Sequence, residues 1–318
     1  MAMLVALLLG GAAIGTAAAQ GAYPSRPIRV VIPFGPGGFA DITMRLVGQK
    51  LAERTGQQVV IENRPSAGGI IAANAVTGAQ PDGYTLFVFS SGIALSKALL
   101  KTMPFDPATA FMPISTMALF DLLLLVKADS PMHTLKDALA LAKSDPSKFN
   151  VGTINPGSTQ NVTGELFRAT TGIAMTIVPH RTSAEVLTSL LRGDTQIGIE
   201  SYAALKSPID SGSIRAIAAS GDKRSPMQPN VPTLKEGGID AEVVGWNSLV
   251  APAGTPKETI AILSGHIGAI IGSPDFKQRM IDLGGEPKAS TPEELDARLK
   301  ADIAMWATVV RKAGLEPH

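Results

Sequence analysis

The stretch Ile28–Phe34, IRVVIPF, is apolar at nearly every position and runs directly into Gly35-Pro36-Gly37-Gly38. A strand buried on both faces of a sheet reads this way. From Phe39 to Arg54 the residues Ile42, Leu46, Val47 and Leu51 share one side of a helix, and Gly56 stands where that helix stops. Gln58–Glu62 (QVVIE) is a second strand, Ile70–Val76 a helix, Pro81-Asp82-Gly83 a turn and Tyr84–Phe89 (YTLFVF) a third strand. This β-α-β-α-β opening predicts an α/β fold, a parallel sheet with helices on its faces.

Outward from there the alternation continues. Phe105–Ile114 is Pro-rich and reads as irregular. Leu122–Val126 is a strand, Leu135–Lys143 a helix and Asn150–Thr153 a strand. Helices over Thr159–Thr170 and Ser183–Arg192 flank the strand-like Met175–Pro179, and the strands Ile197–Ile199 and Ile214–Ala219 follow. After a turn-rich Gly221–Pro232, Val243 to Val250 is extended. Three helices close the chain, each opened by a proline that a first helical turn accepts: Pro256, Pro274 and Pro292. Pro156-Gly157-Ser158 repeats the strand–loop–helix setting of Pro36-Gly37-Gly38. Two lobes with equivalent openings would put both loops at strand ends, which line the ligand crevice of open α/β sheets.

Composition narrows the function classes. The chain has 318 residues, room for two domains at about 100–200 residues each. Its 28 basic and 27 acidic residues nearly cancel, and no basic cluster suggests nucleic acid. There is no cysteine, which excludes disulfides, thiolate metal sites and cysteine nucleophiles, and the four histidines have no metal-ligand spacing. Met1 to Ala19 carries no charge. Leu4–Leu9 suits the core of a signal peptide, and Ala17-Ala18-Ala19 suits its cleavage site, although no Lys or Arg precedes the core. Export is the expectation, with a weakly apolar membrane anchor as the alternative.

The Gly35–Gly38 loop carries the strongest chemical signal. A helix N-terminus offers unpaired N–H groups and a partial positive charge, and glycine lets an anion approach the backbone. Asp41, just beyond, is either a ligand contact or a carboxylate favoured by the dipole of the first turn. The same loop fits the dinucleotide fingerprint as Gly35-x-Gly37-x-x-Ala40, with Glu62 where a ribose-binding acid would stand, so a NAD-dependent oxidoreductase is one alternative. Pro33 and Pro36 restrict that turn. Ser220-Gly221-Asp222-Lys223 matches S-x-x-K without its companion motifs and reads as a polar turn. Arg181 is suited to clamping a carboxylate, or to a solvated surface. Glu200 ends a strand and could accept from a ligand amine or hydroxyl, while repelling a carboxylate. Trp246 reads as core.

Several segments together resemble a known family. YPSRPIRVVIPFGPGGFAD at Tyr23–Asp41, IENRPSAGG at Ile61–Gly69, PDGYTL at Pro81–Leu86, MPFDPATAFMPIS at Met103–Ser115, VPTLKEGG at Val231–Gly238 and VGWNSLVAPAGTP at Val244–Pro256 are similar to the Bug proteins, periplasmic solute receptors of tripartite tricarboxylate transporters. The resemblance implies a two-lobe periplasmic-binding-protein (Venus flytrap) fold, type II-like, closing over a small organic acid, with no catalysis, no cofactor and no metal. It implies lobe 1 over residues 23–121 and 248–318 and lobe 2 over 122–247, a monomeric receptor in the periplasm, and membrane transporter subunits as partners. A ligand sensor of the same fold is a further alternative. Carried over, the ligand residues are Phe34, Pro36, Gly37, Gly38 and Asp41, then Ser90 and Ser91. From lobe 2 come Asn155, Ser158, Thr159 and Asn161, with His180, Arg181 and Glu200. The chain departs from the family here: N-P-G-S-T-Q-N at Asn155–Asn161 stands for G-x-G-S-x-x-H, V-P-H-R-T at Val178–Thr182 for V-P-Y-K-G, and Glu200 for a common aspartate. Those positions govern ligand choice.

Overall fold

Two sheets form, each surrounded by helices, and they share one strand order. The structure, a computed structural model, describes residues 23–225, 227–312 and 314. Residues 1–19, read above as a signal peptide, lie outside them. The first half runs β1 (Ile28–Ile32), α1 (Phe39–Thr55), β2 (Val59–Asn63), α2 (Ile70–Thr77), β3 (Thr85–Ser90), α3 (Ser91–Leu99), β4 (Phe111–Phe120) and β5 (Leu122–Lys127). Next come α4 (Leu135–Ser144), β6 (Asn150–Ile154), α5 (Thr159–Thr171), β7 (Thr176–His180), α6 (Ser183–Arg192), β8 (Ile197–Ser201), α7 (Lys206–Asp210) and β9 (Ile214–Ala219). The chain ends with β10 (Gly245–Pro252), α8 (Lys257–Gly272), α9 (Pro274–Asp282), β11 (Gly285–Pro287) and α10 (Pro292–Lys312).

The first sheet is ordered β11-β4-β10-β3-β1-β2 and the second β7-β6-β8-β5-β9. In each, a first strand pairs in parallel with two others, and a strand from the opposite part of the chain enters antiparallel beside the third. β1 and β6 are therefore equivalent, and so are β10 and β5. The recurrence of Pro-Gly after β1 and after β6 reflects a repeated architecture. Two lobes follow, each with a mixed sheet.

Four elements differ from the sequence reading, one of them the five-residue α7, too short for a periodicity to register. α3 starts on the residue after β3, with no loop, so of the polar pair Ser90-Ser91 the first closes the strand and the second opens a helix that the sequence did not announce. β4 extends from within the Pro-rich stretch read as irregular. Pro113 is tolerated because it lies at a register irregularity opposite Val250. β11 has only three residues, too few for a periodicity to register.

The core of the first sheet is aromatic where β3, β4 and β10 meet. Phe87 packs on Phe111 at 5.2 Å, and Phe89 stacks on Trp246 at 6.0 Å between ring centroids. The Trp246 indole N–H donates to Asp302 of α10. No helix among the described residues is long and apolar enough to cross a membrane.

The chain passes between the lobes at Asp121, and again between β9 and β10. The two passages are tied by Ser220. Its amide donates to the Leu122 carbonyl at 2.8 Å, and its hydroxyl accepts from the Leu122 amide at 3.0 Å and donates to the Val243 carbonyl at 2.7 Å. Asp121 packs so closely on the backbone of Gly221 that any side chain there would collide with its carboxylate. Burial pushes the Asp121 carboxyl up to about 6, with Asp222, Glu286 and Glu242 adding repulsion that Lys223 only partly offsets. A group with a raised folded pKa stabilises the fold below its unfolded value and loses that contribution as pH rises through the folded one. The gap between about 6 and the usual 3.8 amounts to at most about 3 kcal/mol. Asp121→Asn should therefore stabilise the protein by roughly 1–2 kcal/mol at pH 8 and leave it unchanged at pH 4. Urea unfolding at the two pH values measures this, and an equal effect at both would contradict it.

Candidate functional site

The two equivalent loops have nearly the same backbone. Gly37 and Gly157 take the left-handed conformation, at φ of 81° and 82°, and only glycine does so freely. The next residues, Gly38 and Ser158, are extended N-caps of α1 and α5. They differ in covering. Ser158 accepts from the Asn161 amide at 3.0 Å, while Gly38 has no side chain with which to cap α1. The amides at the start of α1 are thus the barer anion donors.

Four helix N-termini meet across the seam between the lobes. α1 faces α6: a methyl group added at Gly35 would lie 2.8 Å from the Arg181 carbonyl oxygen, and one at Gly38 would lie 3.5 Å from the Ser183 hydroxyl. α3 faces α5: the Ser91 and Thr159 hydroxyls are 2.9 Å apart. A methyl at Gly92 would lie 2.5 Å from the Gly157 carbonyl oxygen and 2.6 Å from the Thr159 amide nitrogen. A third contact joins the loop before α2 to the second lobe. The Gly68 amide donates to the Pro156 carbonyl at 2.9 Å, and the Asn155 amide group donates to the Ser66 carbonyl at 2.8 Å. Each helix start brings partial positive charge to one region, an arrangement that suits anions.

Of the sequence-predicted residues, the seam brings together Gly38, Ser90, Ser91, Asn155, Ser158 and Thr159. Gly37 is exposed, with no atom of the other lobe beside it. Phe34 is buried at the base of the first loop, and Pro36 is exposed at its tip. Asn161 is buried and donates to Thr153 at 3.3 Å. Asp41 is 3 % exposed, and its oxygens accept from the Gly37 amide (3.0 Å), the Arg45 guanidinium (2.9 Å) and the Asn63 amide group (2.9 Å), all of its own lobe. The His180 ring lies near Gly152, at the side of the sheet where Thr195 packs, and its Nε2 is buried without a partner among the described residues. Burial lowers its pKa, against the opposing influence of Glu185 and Asp194. Arg181 is exposed, and its backbone carbonyl lies against Gly35 of the first lobe. Glu200 is 0 % exposed inside the second lobe.

Burial works against ionisation of Asp41, but the hydrogen bonds from Arg45, Gly37 and Asn63 outweigh it and hold the carboxyl below its usual range. The stability it contributes is present above the unfolded pKa and is lost as pH falls through the folded one. Asp41→Ala should cost about 2–3 kcal/mol at pH 7, because it leaves buried donors unpaired. The difference from wild type should shrink below pH 4 in parallel chemical melts.

Sequence reading missed Ser66, Gly68, Gly92, Gln160, Ser183 and Asn247. Ser66 and Gly68 lie inside the quoted segment IENRPSAGG, and Gln160 stands between two residues already chosen. Gly92 had no signal, since α3 itself was not anticipated. Asn247 sits opposite Ser90 on the neighbouring strand, and its Nδ2, the Ser90 Oγ and the Asn155 Oδ1 are buried without a partner among the described residues.

The dinucleotide alternative finds no support in Glu62, which is held by Arg29 at 3.2 Å and Arg64 at 2.6 Å. Comparison with known proteins settles the class. Residues 43–315 match the model of the tripartite tricarboxylate transporter family receptor, TctC. The solved structure of the periplasmic binding protein BugD is 30% identical with a TM-score of 0.89, over 93% of this chain and 100% of that one. R. palustris Rpa4515, solved with adipate, is 34% identical with a TM-score of 0.89 over 93% of this chain and 100% of its own. MatC from Rhodopseudomonas palustris, solved with bound malate, is 29% identical with a TM-score of 0.86 over 91% of this chain and 100% of its own. With two lobes, two matched loops and helix N-termini turned on the seam between them, the chain belongs to the TctC receptors, the non-enzymatic solute-binding proteins of tripartite tricarboxylate transporters.

Proposed function

We propose that this receptor captures a small organic carboxylate between its lobes, in the periplasm, and presents the closed form to the membrane subunits of a tripartite tricarboxylate transporter. Residues 1–19 are the export signal in this reading. The observation that carries it is the meeting of the N-termini of α1, α3, α5 and α6 at one seam. The backbone amides from Gly38 into the first turn of α1 hold one carboxylate, and any acid can use them. Ser90, Ser91, Asn155, Ser158, Thr159 and Asn161 contribute side chains whose contacts depend on the rest of the ligand. Asp41 positions the first loop through the Gly37 amide, and Arg181 stands at the rim. Adipate and malate, carried by the two R. palustris relatives, set the size class.

Lobe closure then needs only the differential contacts made across the seam. A thermal-shift screen of the protein against mono-, di- and tricarboxylates tests the proposal. An acid at about 100 times its Kd should stabilise the native state by about 2.7 kcal/mol. No shift with any acid would contradict the proposal.

A further inference from the structure

Glu200 is the charged group that the fold hides most completely and the receptor reading leaves unused. It is wholly buried, and no ion pair reaches it among the described residues. Oε1 accepts from the Gln160 amide group and from the Ser201 backbone amide, each at 2.7 Å, and Oε2 accepts from the Ser183 hydroxyl at 2.5 Å. Two of these donors, Gln160 and Ser183, belong to the first turns of α5 and α6, the helix starts that face the other lobe.

The consequence is one of donor direction. A serine hydroxyl has a single proton, and that of Ser183 is committed to Glu200. What Ser183 offers toward Gly38 across the seam is lone pairs. Gln160 is turned so that its NH2 faces the carboxylate, since the opposite orientation would set its carbonyl oxygen against an anion. Its carbonyl oxygen accepts no hydrogen bond among the described residues and points away from Glu200. Thus one half of the seam, at α1, has backbone donors for a carboxylate. The other half has acceptors backed by a buried negative charge.

We propose that Glu200, acting through Ser183 and Gln160, makes this receptor select acids that carry a hydroxyl or ammonium donor over the same acids without one. The inference rests on the receptor reading above and narrows its ligand class. Glu200 is here a positioning residue: it touches no ligand and sets which way two groups donate. Burial raises its pKa, and the hydrogen bonds from Ser183, Gln160 and the Ser201 amide offset this only in part. The selectivity belongs to the carboxylate form, which those three donors fit.

The test is calorimetric titration with succinate, malate and aspartate, which share a carbon skeleton and carry H, OH or NH3+, and with glutarate, 2-hydroxyglutarate and glutamate. The hydroxyl and ammonium members distinguish the two donor chemistries. In the wild type at least one substituted acid should bind about 10–100-fold tighter than its parent, as expected of a hydrogen bond to a charge-backed acceptor. In Glu200→Gln the new amide donates to Ser183 and frees the serine proton to face the ligand, so the ratio should collapse to about threefold or less, or invert. Ser183→Ala should also reduce the ratio, and it serves if Glu200→Gln folds poorly. A purely structural role would weaken all six acids alike and leave the ratio unchanged, which would overturn the proposal, as would equal binding of parent and substituted acids to the wild type. Failure of all six to bind would instead count against carboxylate capture itself, and this inference would fall with it.

Discussion

Gly92→Ala should weaken every carboxylate ligand by about 100-fold or more while leaving the fold of each lobe intact. The added methyl would sit within 2.7 Å of three backbone atoms of Gly157–Thr159 in the other lobe. Backbone cannot rotate aside as a flexible side chain does, so the clash is relieved only by moving the lobes apart. A hundredfold loss corresponds to about 2.7 kcal/mol, a modest demand for overlaps of this depth. Gly92 lies in α3, where alanine is a better helix former by about 1 kcal/mol, so unliganded stability should hold or rise. Calorimetry with several acids, alongside circular dichroism melts, separates loss of closure from loss of fold. Wild-type affinity in Gly92→Ala would mean that the seam does not close on ligand in this geometry. A methyl at Gly38 would meet the Ser183 hydroxyl at 3.5 Å and the Gly35 carbonyl oxygen at 3.9 Å, both ordinary contacts, so a small side chain there should be milder.

Ser220→Ala should cost about 2–4 kcal/mol. The hydroxyl is the partner of two buried backbone groups, the Leu122 amide and the Val243 carbonyl, and alanine strands both. Each stranded group loses about 1–3 kcal/mol of hydrogen bonding it had in water. Both lie where the chain passes between lobes, so the variant should unfold at lower urea and show faster amide exchange at Leu122 and Val243. A change below about 0.5 kcal/mol would show that water replaces the hydroxyl at no cost.

Much of this was legible in sequence because buried strands and glycine turns leave strong local marks. IRVVIPF and YTLFVF could hardly be anything but interior strands, and both hold one, although β1 stops at Ile32, before Pro33 and Phe34. The Pro-Gly pair recurring at 36 and 156 pointed to two equivalent loops, and their matching φ values bear that out. The elements that escaped reading depend on context. β4 contains a proline whose acceptability is decided by its neighbour β10. α3 follows β3 without a break, so no turn announced it. Site legibility divides the same way. Backbone donors at helix starts can be read from glycine and position, whereas the direction of a side chain cannot. Asp41 stands beside the anion loop in sequence yet spends its oxygens on Arg45, Asn63 and Gly37. Arg181, suited by chemistry to clamp a carboxylate, is exposed and sets its backbone carbonyl against Gly35 of the other lobe.

The central claim is that helix N-termini gathered between the lobes hold a carboxylate by its charge. Calorimetric titration of the wild-type receptor with matched pairs of diacid and diamide, succinate with succinamide and adipate with adipamide, tests it most directly. Shape and carbon chain are nearly the same within each pair, while each carboxylate loses its charge and has one oxygen replaced by NH2. Saturable binding of a diacid, with its diamide at least about 100-fold weaker, is the expected result. A diamide binding as tightly as its diacid would contradict it.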